Sequence, residues 1–309
     1  MRLRPLADAR SDALALWDSA RVRTPFTHPV FVEALGQVFG HRAVALLGDG
    51  VGVVGVEKRR GPVRALALTP GATYTSPVLA SWPREADTVR QSTGLDTLAV
   101  ALAASVEQAT LALPPSWPDA RPFAWNGWAL QTRYTALVDL AADPLSRWSH
   151  GTRQPAERHA EAFDVREGAD QIPLAARFQV DSLARKSVRL GATADTLNTL
   201  GRGMHGLGLA RAFGAYRDGV CEAAALIAVD GTEATYWIAG STPGPAMAVL
   251  FRHAMPTLHR GGIHTLDLGG ANVPGVAQFK RQLGGVLTPV VTARWIGPRW
   301  LRALNAIRS

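Results

Sequence analysis

Cysteine is almost missing from this 309-residue chain: Cys221 stands alone, which excludes an internal disulfide and a cysteine-built metal site. Its setting, GVCEAAALIAVDG, reads as an apolar strand and its thiol as inert core. Lysine is scarce as well, with Lys58, Lys186 and Lys280 the whole complement. No apolar run approaches the roughly 20 residues that a membrane-spanning helix needs. The opening MRLRPLADARSDALALW carries Asp8 and Asp12 where a signal peptide would be apolar, so a cytoplasmic location is expected. Histidines are few and badly spaced for a metal: His253 and His259 are six apart on one predicted helix, and His264 falls on a strand. No metal is expected, and no Ser-His-Asp set can be assembled from local motifs.

What is present is a globular composition, 47% hydrophobic and 19% charged, with a net charge of +8 that comes almost wholly from arginine. That balance suits acidic partners such as nucleotide or coenzyme phosphates, tRNA or an anionic membrane face. Because the arginines are scattered, a solvated basic surface accounts for them equally well. The length accommodates two domains, each with its own core.

In chain order, DARSDALALWDSAR and HPVFVEALGQVFG predict amphipathic helices. RAVALLGDG, VGVVGVEKRRG and VRALALTPG predict strands, the first two joined by a tight turn at Gly48–Gly50. A helix (GLDTLAVALAASVEQ), a strand (ATLALPP), an aromatic connector and a strand (ALQTRYTALVDL) complete a first domain over 1–145. A linker bearing Arg147, Arg153 and Arg158 among Trp148, His150 and His159 opens the second domain, 146–309. It suits either an anionic ligand at a domain surface or a plain solvated helix. Two helices follow, then a hairpin turning at Asp218-Gly219. A basic amphipathic tail helix begins near Pro298, to dock on its own domain or to touch an anionic membrane. The second half repeats the element order of the first, so two copies of one fold are expected, although no residue-level repeat is visible.

The stretch Ala234–Gly285 organises the rest. ATYWIAG reads as a buried strand, STPGPA as a small-residue turn, MAVLFRHAMPTLHR as a helix and IHTLDLGG as a second strand. Such a crossover makes the two strands parallel and adjacent. The turn before the helix leaves backbone N–H groups without intrahelical partners, so an anion has a place at Ser241–Ala246, with Lys280 approaching from the loop or short helix that follows. Tyr236 and Trp237 point to opposite faces, one to the core and one to a cleft. Ser241 and Thr242 suit capping of the next helix. Asp267 ends the second strand, where it either holds an acceptor amine and orients Lys280 or satisfies the amides of Gly269–Gly270.

These residues, Tyr236–Ser241, Asp267–Gly270, and Phe279, Lys280, Gly284 and Gly285 in F-K-x-x-x-G-G, resemble the Fem-type branch of the GNAT acyltransferase superfamily. HPVFVEAL, YTSP and RYTALVDL follow the same branch's N-terminal order. The resemblance implies an α/β protein with mixed sheets, built as two tandem GNAT-like domains with a cleft between them. It also implies acyl transfer to an amine or hydroxyl from acyl-CoA or, alternatively, from aminoacyl-tRNA onto a cell-wall precursor. In bridge-forming members the Phe-Lys pair lines the channel where ester meets acceptor; by match that role falls on Phe279 and Lys280. Lys280 and Asp267 are the catalytic candidates. Phe279, Tyr236, Trp237, Ser241, Thr242, Gly244, Asn272, Tyr74 and Arg153 are the binding candidates. Two family features are missing: STPGPA replaces the usual pyrophosphate loop, and no tyrosine follows Tyr236 as a late acid. The long helical arm of some bridge-forming members has no counterpart. A small-molecule donor and acceptor, a monomeric state and acyl-CoA as donor are the expectations, with a non-catalytic module for an acidic ligand as the alternative.

Overall fold

The computed structural model describes residues 1–80, 88–117, 119–141, 143–185, 191–298 and 300–301. The predicted tail helix therefore lies mostly outside the described residues, as does Lys186. In chain order the elements are β1 (Arg4–Pro5), α1 (Arg10–Ser19), α2 (Pro29–Val38), β2 (Arg42–Gly48), β3 (Val51–Arg60), β4 (Val63–Leu66), β5 (Val78–Leu79), α3 (Thr88–Ser105), β6 (Gln108–Ala112) and α4 (Arg121–Trp125). They continue with β7 (Ala129–Asp139), α5 (His150–Arg158), β8 (Asp164–Glu167), α6 (Ile172–Arg185), α7 (Ala194–Gly206), β9 (Ala210–Arg217), β10 (Val220–Asp230) and β11 (Glu233–Ser241). The last are α8 (Ala246–Arg260), β12 (Thr265–Asp267), α9 (Pro274–Gln282) and β13 (Val286–Ile296). No helix among the described residues is long and apolar enough to cross a membrane.

The chain divides into two compact units, one of Met1–Arg133 with Val290–Ser309, the other of Tyr134–Pro289. In the first, β1, β2, β3 and β4 run antiparallel in sequence order, β4 pairs parallel with β6 across α3, and β6 pairs antiparallel with β13. β3 is buried along most of its length, and its glycines admit close neighbours. A Cβ at Gly52 would sit 2.8 Å from Leu16 of α1, and one at Gly55 the same distance from Leu66 of β4. Leu95, Leu98 and Leu102 of α3 fill the core with Val53, Leu111, Phe123 and Trp128.

The second unit repeats this plan: β8, β9, β10 and β11 are antiparallel neighbours, β11 pairs parallel with β12 across α8, and β12 pairs antiparallel with β7. The crossover read from Ala234 onward is thus present, with Thr235 opposite Asp267. The hairpin between β9 and β10 turns where expected: Asp218 and Gly219 have φ of 49° and 78°, the pair of positive values that a tight right-twisted hairpin demands. Ala223, Ala225 and Ile227 of β10 share a core with Leu250, Phe251 and Met255 of α8. Leu226, on the other face by alternation, meets α7 so closely that a Cβ at Gly201 would lie 2.8 Å from it.

The strand pairing runs across the boundary expected at 145/146. β7 follows the first half in sequence, yet its Asp139, Val138 and Leu137 pair with Thr265, Leu266 and Asp267 of the second. β13 follows the second half, yet Thr292–Ile296 pair with Ala112–Gln108 of the first. Each unit thus takes its closing strand from the other half of the sequence, which no local pattern reveals because both strands read alike.

Candidate functional site

The cavity that gathers the predicted residues has a volume of about 920 Å3, and its described lining belongs to the second unit. One wall is the end of β11, with Tyr236, Ala239, Gly240 and Ser241, followed by Thr242–Pro245 and the first turn of α8. Phe279 and Lys280 of α9 form another, Gln179, Ser182 and Arg185 of α6 a third, and Thr152, Pro155 and His159 a fourth. It exists because β11 outruns its partner. β12 pairs only with Glu233–Thr235, while β11 continues to Ser241, and the open edge beyond becomes cavity wall.

Lys280 lies on a helix, not a loop. Pro274 starts α9 at its first turn, where a missing N–H costs nothing. Gly284, at φ 79°, ends it: Gly284 N–H donates to Arg281 O at 3.0 Å and Gly285 N–H to Lys280 O at 3.0 Å. These are the paired bonds of a Schellman cap, so the G-G of F-K-x-x-x-G-G terminates the helix that carries the lysine. The Lys280 side chain is 7% exposed, and its Nζ donates to Gly270 O at 2.8 Å. Burial brings its ammonium down to about 8; the nearby Asp267 carboxylate offsets that in part. Phe279 packs against the second unit's core and lines the cavity beside it.

Asp267 is absent from the cavity wall. It is buried; its Oδ1 accepts from the Thr135 hydroxyl and, at 2.7 Å, from the N–H of Gly269, whose φ is 78°. The D-L-G-G motif is therefore a turn that the aspartate ties and that delivers Gly270 O to Lys280. This is the loop-amide alternative of the sequence reading, and Asp267 acts on Lys280 through the loop and through its charge.

Tyr236 lines the cavity, stacks tilted on Phe251 at 5.1 Å and points its hydroxyl at Met247 Sδ, 3.7 Å away; burial pushes its phenol up. Trp237 does not reach the cavity. Ile238 pairs with Leu226 and Tyr236 with Ile227, so Trp237 is the extra residue of a bulge that re-aims its neighbours. Ser241, Thr242 and Gly244 all line the cavity, but the expected helix cap is corrected. The residue before α8 is Pro245, which has no side-chain cap to offer, and Thr242 spends both its N–H and its hydroxyl on Glu222 O at 2.8 and 3.3 Å. Pro243 and Pro245 carry no N–H, which thins the donors expected at Ser241–Ala246; the amides of Ala246, Met247 and Ala248 remain without intrahelical partners. Arg185 reaches over the same turn, its Nη2 donating to Ser241 O at 3.1 Å.

The remaining binding candidates lie elsewhere. Asn272 staples its loop to β7, accepting from Tyr134 N–H at 2.9 Å and donating to Tyr134 O at 3.1 Å. Tyr74 belongs to the first unit, buried edge-on to Phe26 with ring centres 6.4 Å apart. Arg153 pairs with Glu157 at 3.7 Å on the exposed side of α5, whose cavity face is Thr152, Pro155 and His159. Spacing of three and four in T-x-x-P-x-x-x-H marks that face, and the same spacing marks Gln179, Ser182 and Leu183 on α6. The sequence reading missed both sets because they gain meaning only when their helices border one void.

The described lining contains Lys280, Arg185 and His159 but no Asp or Glu. Such a cavity favours an electron-rich ligand and disfavours a cationic one. Among the described residues no cluster of His, Cys, Asp or Glu could hold a metal ion.

No protein-family model and no curated protein matches the sequence. Solved structures do. FemX superposes with a TM-score of 0.68 at 11% identity, over 94% of this chain and 97% of its own. L-PGS from Bacillus licheniformis gives 0.58 at 12% identity, over 96% and 95%. A GNAT-family acetyltransferase from Colwellia psychrerythraea gives 0.52 at 11%, over 95% and 99%. Identities this low carry the fold alone. With its adjacent parallel strands, intervening helix and mixed α/β sheets, the chain has the Fem-type GNAT-like fold.

Proposed function

We propose that the chain is an acyltransferase. It moves an acyl group from an activated ester or thioester to a hydroxyl or neutral amine held in the second unit's cavity. The observation that carries this is the buried ammonium of Lys280 in the cavity wall beside Phe279, its Nζ anchored on Gly270 O. Attack on the donor carbonyl builds negative charge on its oxygen, and a fixed ammonium away from bulk water stabilises that charge as it forms. A mobile surface lysine would first have to be ordered; this one already is. Tyr236, with its phenol held protonated by burial, supplies a neutral hydroxyl in the same cavity. With no carboxylate in the described lining, the acceptor's proton leaves through water, and the donor's C–S or C–O bond breaks to release a thiol or alcohol that takes up a proton in turn.

Acyl-CoA is the first donor in this reading, with its thioester at Lys280 and its diphosphate at the turn before α8, near Arg185. A second reading takes aminoacyl-tRNA as donor, with a cell-wall precursor as acceptor. Its support is the turn itself: two prolines and a committed Thr242 leave few N–H groups for a diphosphate. Single-turnover assays with acetyl-CoA and with aminoacyl-tRNA, in wild type and Lys280→Ala, test the proposal. The variant should transfer on the order of 100-fold more slowly from whichever donor is used, the loss expected for one oxyanion donor. Full activity in Lys280→Ala would remove the lysine from the chemistry. Tight binding of a donor without transfer to any acceptor would make the chain a binding module for an acidic ligand.

A further inference from the structure

After Thr235 the edge of β11 that faced β12 has no strand beside it among the described residues, although the strand runs on to Ser241. Backbone donors there need other acceptors. Ala239 finds one in a side chain, its N–H donating to Gln179 Oε1 at 3.0 Å. A backbone N–H can only donate, so the atom that faces it must be the amide oxygen, and the orientation of the carboxamide follows from that chemistry. Gln179 is half-buried and lines the cavity together with Ala239, Tyr236 and Lys280. With its oxygen committed, the two N–H groups of Nε2 are what it has to offer a ligand.

The placement is rigid. α6 rides on β11 so closely that a Cβ at Gly240 would fall 2.5 Å from Phe178 O, and Phe178 directly precedes Gln179. Gln179 also converts a strand N–H, which would otherwise be aimed along the open edge, into a side-chain donor set deeper along α6.

We propose that Gln179 is a substrate-binding residue: its oxygen is clamped by Ala239, and its –NH2 recognises an uncharged carbonyl oxygen of the bound acyl donor. This rests on the acyl-transfer reading, and the division of labour is plain. Lys280 serves the oxygen that gains charge, whereas a neutral amide serves one that does not.

Gln179→Glu keeps an oxygen for Ala239 N–H but loses both N–H donors; Gln179→Met loses both functions. Gln179→Glu should raise KM for the productive donor about tenfold, the loss of one hydrogen bond, with the melting temperature close to wild type. Gln179→Met should lower stability as well. A purely structural glutamine would instead leave KM unchanged in Gln179→Glu, and that result overturns the proposal. Side-chain amide signals of 15N-labelled protein, titrated with acetyl-CoA and with alanyl-tRNA, separate the two levels of the argument. Movement of the Gln179 NH2 pair together with the Lys280 backbone signal supports it. Movement of Lys280 alone overturns the role of Gln179 only, and silence of both sites with both probes overturns the transfer reading with it.

Discussion

A lysine whose ammonium loses protons near 8 is a residue with two possible jobs, and pH separates them. If the ammonium polarises the donor carbonyl, transfer requires the protonated form, so the rate falls as pH rises through about 8. If the neutral amine takes the acceptor's proton, the rate rises through the same value. The expected profile is the falling one, read as kcat against pH with Lys280→Ala as the flat control. Stability follows from the same shift. Its folded value lies below the ordinary lysine value of 10.5, so between about 8 and 10.5 the unfolded chain holds the extra proton. Stability contributed at this site therefore rises with pH across that window and is lowest below it, by about 3 kcal/mol. Against Lys280→Met, which cannot titrate, urea unfolding of wild type should show a gain of that order from pH 8 toward 10.5. An unchanged difference between the two proteins would mean that the amine is solvated. Asp267 was legible as important, but its task was not: whether a carboxylate meets a ligand or a turn depends on neighbours 132 residues away in sequence, such as Thr135.

At the scale of elements, two glycines hold the site in shape for different reasons. Gly284 supplies the left-handed residue that ends α9, where a Cβ would also meet the Arg147 Cβ at 3.0 Å. Gly284→Ala should destabilise by about 1–2 kcal/mol and loosen the helix end that positions Lys280, measured as unfolding free energy and as a lower kcat. Gly240 has an ordinary backbone; its constraint is contact. A methyl there strikes the Phe178 carbonyl, and main chain cannot swing aside as a side chain can. Gly240→Ala should therefore push α6 off β11, cost about 1–3 kcal/mol and raise KM, because Gln179 moves with the helix. Local pattern in the sequence reached α6, the hairpin at Asp218-Gly219 and the parallel crossover, and left α9 open between loop and short helix. It did not reach the bulge at Trp237, since a bulge is a mismatch between two strands and neither strand announces it alone.

For the whole molecule the consequence is one of boundaries. A fragment of residues 134–289 keeps β8 to β12 and, from Tyr134 onward, the β7 strand that pairs with β12, and should unfold cooperatively. A fragment of residues 1–145 lacks β13, which leaves β6 with an unpaired edge and removes Ala293 and Trp295 from the core. It should be poorly soluble or without a sharp thermal transition, seen by circular dichroism and calorimetry. A sharp transition in that fragment would show that the exchanged strand is dispensable. The order of helices and strands, the parallel crossover, the hairpin turns and the F-K and D-L-G-G motifs were determined by the sequence alone, because period, turn chemistry and glycine conformation act over a few residues. Which closing strand joins which sheet, which face of α5 and α6 borders the cavity, and whether a carboxylate meets a ligand or a loop were decided only in three dimensions. Those outcomes depend on contacts between segments 60 or more residues apart in sequence, and local preference is the same for either choice.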